Sequence, residues 1–288
     1  MKAQPTDPRP PVRMALGVSY QGRAYAGWQS QPTVPTVQDA LEKALARFVD
    51  SPIVTLCAGR TDAGVHGLMQ VVHFDTHADR PDFSWVRGVN TFLPSDIAVQ
   101  WARHVPQSFH SRACALRRRY VYVVLQSPVR PSLEAGAVGW VFRKLDHEAM
   151  NKAAQLLVGE HDFSSFRASA CQALTPVKTL YHVHIHRRPG RPIDDGSADT
   201  RHSFEPCYWR FEFEGNAFLH HMIRNIMGCL LMIGQGLKPP EWMAQVLEAR
   251  SRDAAAPTFS PDGLYFAGPV YGPQWGLPER TPAYDWLP

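Results

Sequence analysis

The sequence predicts an α+β protein made of two related halves. Short β-branched and aromatic runs, typical of strands, alternate with longer segments whose apolar residues recur at helical spacing. The same mixture occurs on both sides of a crossover near residues 108–115. The chain has 288 residues, of which 44% are hydrophobic, and this is enough for two packed domains. We therefore expect one half over residues 14–110 and the other over residues 111–275.

The first half is expected to begin with a strand at residues 14–20, followed by the glycine-rich and aromatic loop "QGRAYAGWQ". A helix should start at Thr36, because Thr36 and Asp39 have the spacing of a capping box. Its apolar stripe consists of Val37, Ala40, Leu41, Ala44, Leu45 and Phe48. Further strands are expected at residues 53–57, 69–74 and 97–105.

The second half repeats this theme. Its elements are predicted as a strand at 118–125, a helix at 146–157, strands at 177–186 and 208–213, and a last strand at 262–271. A long helix is expected directly after Asn216, because His220, Arg224 and Gly228 recur four apart beside an apolar stripe. The stripe consists of Leu219, Met222, Ile223, Ile226, Met227 and Leu230.

Three segments do not resemble parts of a packed core. Residues 1–13 are proline-rich and are expected to form a flexible leader, and residues 276–288 a C-terminal tail. Residues 187–206 are polar and rich in proline, glycine and aspartate, which is typical of a mobile hairpin insertion.

Composition excludes several classes of protein. A formal net charge of +4 and a pI near 8.8 are compatible with a nucleic-acid partner. No stretch approaches the roughly 20 apolar residues of a membrane span, and the N-terminus lacks the apolar core of a signal peptide. We therefore expect a cytoplasmic protein without membrane association. The five cysteines include no C-x-x-C pair, which argues against a disulfide framework and a zinc knuckle.

The stretch "CAGRTDAGVHG", at residues 57–67, places an arginine and an aspartate among three glycines. If this segment is extended, Arg60 and Asp62 point to one side, and the guanidinium favours the ionised carboxylate. Such a carboxylate can act as a general base or a nucleophile. The alternative is a structural Arg–Asp pair that ties the loop down. For His66 we expect a hydrogen bond that fixes the loop rather than proton transfer.

Two further patterns allow a structural and a functional interpretation. Tyr120 and Tyr122 share one face of a strand, which fits either core packing or an aromatic platform for a base. Basic side chains could hold RNA phosphates or form a solvated surface. They are Arg23, Arg117, Arg118, Arg119 and Lys178.

The stretch "HVHIH" places His182, His184 and His186 on one side of a strand. The spacing suits metal ligands, but no carboxylate or cysteine lies close in sequence. We therefore expect no metal site here.

Several motifs together resemble one family. "AGRTDAGVHG" followed by "QVVHF" is similar to the signature of the TruA family, the tRNA pseudouridine synthases that act on the anticodon stem-loop. The likeness extends, in the family's order, to five further motifs between about residues 14 and 270. They are "LGVSYQGRAYAGWQ", "LRRRYVYVV", "LVGEHDFSSFR", "NAFLHHMIRNIMG" and "DGLYF".

The resemblance implies a fold and an activity. The fold would be that of pseudouridine synthases, with two ferredoxin-like or RRM-like halves whose antiparallel sheets are flanked by helices. The activity would be isomerisation of uridine to pseudouridine at positions 38, 39 and 40 of tRNA, by a homodimer that grips one tRNA. Because this reaction adds no atoms and changes no oxidation state, no cofactor is expected.

The resemblance also assigns roles to individual residues. Asp62 would be the catalytic nucleophile, and Arg60 would help to extrude the target nucleotide and fill its place. Arg224 would pair with the catalytic aspartate from a helix. Tyr120 would stack on the target uracil and is a candidate for removing the C5 proton, while Leu264 would line the pocket beneath the base.

Two other functions compete with this hypothesis. One is an RNA-binding or chaperone module that keeps the fold without turnover. The other is a metal-dependent nucleotide hydrolase built on the histidine strand, which would need carboxylates near "HVHIH".

Overall fold

The computed structural model describes residues 10–189 and 206–278. The predicted leader, the hairpin insertion and the tail therefore lie largely outside the described residues. The described chain divides into two compact units, which do not follow the chain order strictly, because residues 267–278 belong with the N-terminal part.

The first unit contains residues 10–116 and 267–278. Its elements are β1 (Val12–Tyr20), α1 (Val37–Val49), β2 (Leu56–Cys57), β3 (His66–Thr76), α2 (Asp82–Asn90), β4 (Ile97–Val105) and the end of the last strand, β10 (Leu264–Tyr271). The strand order is β4-β1-β3-β10; β1 runs antiparallel to both β3 and β4, and β2 pairs with β3. The β-α-β-β-α-β succession is that of ferredoxin-like folds.

The sheet of the first unit is buried on both faces. Most residues of one cluster come from β1, β3, β4 and the two helices, and they include Leu16, Leu41, Phe74, Trp85 and Val89. The other cluster includes Ala15, Val71, Trp101, Phe109 and Tyr271. Because side chains alternate along a strand, β1 needs apolar residues at successive positions, which explains the run without polar side chains from Met14 to Val18.

The start of α1 confirms the prediction that a helix begins at Thr36, which acts as its N-cap. The Thr36 hydroxyl accepts a hydrogen bond from the Asp39 amide at 3.2 Å. The predicted strand at 53–57 shortens to β2, because the Thr55 amide and hydroxyl donate to the Glu42 carboxylate at 2.7 and 2.9 Å. These bonds tie the segment to α1 before the ladder begins.

The second unit contains residues 117–189 and 206–266. Its elements are β5 (Ala115–Gln126), β6 (Gly139–Val141), α3 (His147–Gln155), β7 (Gly159–Asp162), β8 (Val177–Pro189), β9 (Cys207–Gly215), α4 (Met222–Gly234), α5 (Trp242–Ala249) and the start of β10. The first two residues of β5 belong to the first unit. The strand order is β10-β5-β9-β8-β7, with β6 parallel to β5. Strands β5, β9, β8 and β7 pair antiparallel in turn.

The succession β5-α3-β8-β9-α4-β10 again follows the ferredoxin-like order, with β6, β7 and α5 as additions. The predicted fold class, an α+β protein with two related ferredoxin-like halves, is confirmed by the topology of both units. The short elements α2, β7 and α5 were not predicted, because each presents too few periodic residues to stand out in the sequence.

The helix predicted directly after Asn216 begins later. The structure starts α4 at Met222, because His221 adopts a left-handed backbone with φ of 62° and interrupts the helix before it. The prediction that His220 lies on this helix is therefore wrong. The stripe from Met222 to Leu230 is buried, as expected.

Candidate active site

The loop that carries Asp62 connects β2 to β3 and is tied to the loop between β1 and α1. The Trp28 amide donates to the carbonyl of Thr61 at 3.1 Å, and the Gly64 amide donates to the carbonyl of Tyr25 at 3.3 Å. These two bonds lie on either side of Asp62. The backbone that carries the carboxylate is therefore fixed from both directions.

Two glycines of "QGRAYAGWQ" allow the two loops to lie this close. Gly27 has a φ of 99°, and a Cβ there would lie 2.6 Å from the carbonyl oxygen of Thr61. A Cβ on Gly22 would collide with the carbonyl of Val65. Only glycine fits such approaches. The sequence prediction named the loop but did not identify these positions as part of the site.

Side chains complete the support of the loop. The hydroxyls of Tyr20 and Thr61 form a buried hydrogen bond of 2.9 Å. The Gly22 amide donates to Nδ1 of His66 at 3.2 Å, and both groups are buried. The predicted loop-fixing role of His66 is confirmed, because its ring nitrogen is engaged by the backbone it holds.

The two charged residues of the loop differ in exposure. Asp62 is half-buried, whereas Arg60 is exposed. Nearby, burial raises the pKa of the Cys57 thiol to about 11, although the positive charges of Arg60 and Arg112 act in the opposite direction. A protonated thiol is a poor nucleophile, so Cys57 is a poor candidate for the nucleophile of this loop.

In the second unit, Tyr120 and Tyr122 share a face of β5 but have different environments. Tyr122 is fully buried and donates its hydroxyl hydrogen to the carbonyl of Ser260. Tyr120 is half-buried, and its ring centroid lies 5.0 Å from those of Phe218 and Phe266. Of the two tyrosines, Tyr122 belongs to the core and Tyr120 to an aromatic cluster at its edge.

Arg224 lies in the first turn of α4 and is held by the segment before β10. Its Nε donates to the carbonyl of Phe259 at 2.9 Å, and the Phe259 amide donates to the carbonyl of Arg224 at 3.1 Å. This reciprocal pair sets the direction of the half-buried guanidinium. Arg224 is therefore a positioned group and not a mobile surface arginine.

The neighbouring Asn225 fixes the same segment from inside. It is fully buried, and its amide nitrogen donates to the carbonyl of Phe166 at 2.8 Å. Its carbonyl oxygen accepts from the hydroxyl of Thr258 at 2.7 Å and from the Arg252 guanidinium at 3.3 Å. The sequence prediction did not select Asn225, although a polar residue within an apolar helix stripe was a signal for it.

Leu264 is the first residue of β10 and is buried. It follows Gly263, which has a φ of 82° and packs against the backbone of Val123 so closely that a Cβ would collide with its carbonyl. The amide of Leu264 donates to the carbonyl of Pro261 at 3.0 Å. A tight glycine turn thus sets the position of this apolar side chain.

The predicted phosphate contacts have different surroundings. Arg23 is exposed. Arg117 is exposed too, but its Nη1 donates to Glu214 at 2.7 Å. Nη1 of Arg118 donates to the carbonyl of Asn216 at 2.8 Å. Arginine has five donor hydrogens, so these contacts leave capacity for phosphate oxygens.

Lys178 does not suit a phosphate contact. Its side chain is buried, and Nζ donates to the carbonyls of Thr175 and Val177 at 2.6 and 2.8 Å. Burial lowers the pKa of Lys178. The ammonium group is turned towards its own backbone, so we omit Lys178 from the contacts proposed below.

The predicted residues are divided between the units. Arg60 and Asp62 share one loop of the first unit, and Tyr120, Arg224 and Leu264 belong to the second. In the described part of the chain, no helix is both long and apolar enough to cross a bilayer.

Comparisons with known proteins agree with the sequence resemblance. A family model described as tRNA pseudouridine synthase matches residues 17–112 and 153–272. A tRNA pseudouridine synthase A of Acidovorax sp. (strain JS42) is 72% identical over 277 residues, which cover 96% of this chain and all of the relative. The protein of the same name from Delftia acidovorans (strain DSM 14801 / SPH-1) is 68% identical over 282 residues, with the same coverage.

Among solved structures, the crystal structure of a Cbf5-Nop10-Gar1 complex matches with a TM-score of 0.33 and 11% identity, covering 76% of this chain and 45% of that chain. The curated relatives are matched over their whole length, and the family model includes the Asp62 loop and α4. The chain belongs to the tRNA pseudouridine synthase family.

Proposed function

We propose that this protein isomerises uridine to pseudouridine at positions 38, 39 and 40 in the anticodon stem-loop of tRNA. The observation that carries the proposal is the Asp62 loop, in which a half-buried carboxylate stands on a backbone fixed from both sides. Family membership supports the same assignment. A held carboxylate suits a reaction whose main demand is a positioned nucleophile.

The chemistry conserves every atom. The bond from uracil N1 to the ribose C1′ breaks, the base turns, and C5 forms the new bond to C1′. The proton on C5 leaves, and N1 ends with a proton. No electrons are transferred to another molecule, so the reaction needs no cofactor.

Asp62 is the nucleophile in this proposal, and Arg224 is the cation that pairs with it. The anchored Nε of Arg224 supports this role, because a guanidinium with a fixed direction loses little entropy when it pairs. Arg60, exposed on the same loop, fills the space that the flipped nucleotide leaves. Unstacking a base costs a few kcal/mol, and such a filler offsets part of this cost.

Tyr120 and Leu264 are proposed to hold the uracil. The ring of Tyr120 is oriented by Phe218 and Phe266, which leaves it little rotational freedom to lose on stacking. Its oxygen, as the phenolate, is the proposed acceptor of the C5 proton and becomes the hydroxyl when it takes that proton. Leu264 supplies apolar surface beneath the base. Tyr120 lies outside the segments that the family model matches, so its role depends on the motif "LRRRYVYVV".

The proposed partner is the anticodon arm of tRNA, with Arg23, Arg117 and Arg118 as phosphate contacts. We also propose a cytoplasmic homodimer that grips one tRNA. Sedimentation equilibrium tests the dimer, because one chain has a mass of 32.3 kDa. A species of that mass at micromolar concentration, with or without tRNA, would exclude it.

Tritium release from tRNA labelled at uridine C5 tests the activity, because this hydrogen leaves only when C5 becomes the glycosidic carbon. The wild type should release tritium, Asp62→Asn should release none, and Asp79→Asn, which changes an exposed carboxylate of the same unit, should match the wild type. Equal release by Asp62→Asn would identify another catalyst. Binding of tRNA without release by any of the three would favour the RNA-binding module.

The sites of modification need a separate measurement. Carbodiimide labelling followed by primer extension reports each pseudouridine by position. We expect stops that correspond to positions 38, 39 and 40 of tRNAs with uridine there. Modification confined to another arm of the tRNA would contradict the proposed specificity and leave the isomerase assignment intact.

A hydroxyl deletion tests Tyr120. Tyr120→Phe retains the ring and its contacts with Phe218 and Phe266, so the melting temperature should stay close to that of the wild type. Release of the C5 proton should slow strongly. Unchanged release would assign this proton to another acceptor.

A further inference from the structure

Gln70 is a fully buried polar residue of β3 that has no role in the mechanism proposed above. Its exposed fraction is 0%. A carboxamide has hydrogen-bond donors on its nitrogen and an acceptor on its oxygen, and a buried donor or acceptor without a partner costs free energy. The partners of this side chain therefore indicate what it does.

The carboxamide of Gln70 bonds to both backbone groups of Gly59, the residue before Arg60. Nε2 of Gln70 donates to the carbonyl of Gly59 at 2.5 Å, and the Gly59 amide donates to Oε1 of Gln70 in a longer bond of 3.4 Å. Both bonds require the same orientation of the carboxamide. One side chain thus holds the donor and the acceptor of a single loop residue.

These bonds lie where the backbone pairing of β2 with β3 ends. The last pair of that ladder is Cys57 with Val72, and Gly59 lies beyond it in a bend. The antiparallel register would place Gly59 opposite Gln70. Here the Gln70 side chain supplies the hydrogen bonds that a strand backbone supplies elsewhere in the ladder. The chain can therefore leave the sheet towards Asp62 and still be held at Gly59.

The bonds to Gly59 hold the loop on the other side of Arg60 from its known contacts. The Thr61 carbonyl, which follows Arg60, accepts a hydrogen bond from the Trp28 amide at 3.1 Å. Arg60 thus stands between two residues whose backbone is fixed. Loss of the bonds at Gly59 would release the segment that directs Arg60 and that leads into Asp62.

We propose that Gln70 is a positioning residue for the isomerisation, because its carboxamide sets the backbone from which Arg60 and Asp62 project. This inference rests on the proposed function and adds a residue that acts through Gly59 and not on the substrate. A loop without this support would still bind tRNA but would reach the reactive arrangement less often.

The variant Gln70→Met tests the role, because it keeps an unbranched side chain and removes both hydrogen bonds. Gln126→Met is the matched control. Gln126 is also buried, and its Oε1 accepts from the Leu145 amide at 2.8 Å and from the Trp209 indole at 3.2 Å. Both variants should lower the melting temperature. Only Gln70→Met should slow single-turnover tritium release, by at least about tenfold, with a Kd for tRNA within about twofold of the wild type.

Gln70→Glu adds a pH signature and a second variant in case Gln70→Met does not fold. A protonated carboxyl can form both bonds to Gly59, because its hydroxyl donates and its carbonyl accepts, whereas a carboxylate only accepts. Burial raises the pKa of the introduced carboxyl. The ratio of the variant's rate to the wild-type rate should therefore be highest near about pH 5.5 and fall at least about fivefold by about pH 9. Gln126→Glu should keep a constant ratio.

Three results would overturn the role of Gln70. They are release by Gln70→Met within about twofold of the wild type, equal slowing by Gln126→Met, and a rate ratio for Gln70→Glu that does not fall as the pH rises. Absence of release from the wild type would contradict the proposed function itself. Release by the wild type and Gln70→Met at one rate would contradict only the inference about Gln70.

Discussion

Gly27→Ala should displace the loop that carries Asp62, the proposed nucleophile, and leave the protein folded. A Cβ at this residue would lie 2.6 Å from the carbonyl oxygen of Thr61 and 3.1 Å from the carbonyl carbon of Asp62. An ordinary contact begins at 3.4 Å, so the two loops must part by the difference between 3.4 and 2.6 Å, about 0.8 Å. The residues that must move are the ones that carry the proposed nucleophile.

We expect a large loss of reaction rate together with a modest loss of the free energy of unfolding. Displacement of a reacting group by about 1 Å can cost about 100-fold in rate, so we expect a loss of roughly 10- to 100-fold in single-turnover tritium release. Left-handed backbone costs a residue with a side chain about 1–2 kcal/mol. In a protein of this size, each kcal/mol lowers the melting temperature by about 2–4 °C.

Gly236→Ala is the matched control. Gly236 also has a positive φ, of 70°, but a Cβ there would meet nothing within 4 Å. Both variants therefore introduce backbone strain, and only Gly27→Ala adds a collision with the loop. The assays are tritium release with enzyme in excess over tRNA and thermal melting followed by circular dichroism.

The reasoning would be refuted if Gly27→Ala released tritium within about twofold of Gly236→Ala, because the collision would then leave Asp62 in place. Loss of folding by Gly27→Ala would show that the contact is needed for stability instead. In that case Gly27→Ser and Gly27→Ala should fail alike, and the loop contact would be assigned to the core.

Three further predictions concern other parts of the molecule. Burial lowers the pKa of His73 to about 4, so protons bind the unfolded chain before the folded one as the pH falls. The free energy of unfolding, measured by urea titration, should therefore fall by up to about 3 kcal/mol from pH 6.5 to 4. The variant His73→Gln should lack this contribution to the fall. Asn225→Leu strips the Phe166 carbonyl and the Thr258 hydroxyl of a buried partner and should cost about 1–3 kcal/mol in urea unfolding. Lys178→Met should leave the salt dependence of tRNA binding unchanged, whereas loss of a phosphate contact would reduce the log–log slope by about 0.7–0.9.

Much of the fold followed from local patterns. The N-cap Thr36 and the apolar run of β1 were predictable because a cap joins residues three apart and a strand buried on both faces needs successive apolar residues. The start of α4 was not predictable from periodicity. The apolar spacing continues back to Leu219, but a single left-handed residue, His221, delays the helix.

The candidate site also contains some residues that the sequence identifies and others that only the structure identifies. The signature loop with Asp62 was identifiable because its residues are adjacent in the chain. The need for Gly27 was not, since its reason is a carbonyl in another loop, at Thr61. The Lys178 ammonium group points towards its own backbone because of the local backbone conformation and burial. The position of a basic residue in the sequence does not reveal either property.

The sequence by itself determined the α+β class, the family resemblance and the candidate nucleophile, because each depends on residues that are close along the chain. The tertiary structure alone decided which groups meet across the sheet. Glu214 and His182 are distant in sequence, yet the register of β8 and β9 places them opposite each other. Register is set by the packing of the whole sheet, so no local pattern specifies which carboxylate faces which histidine.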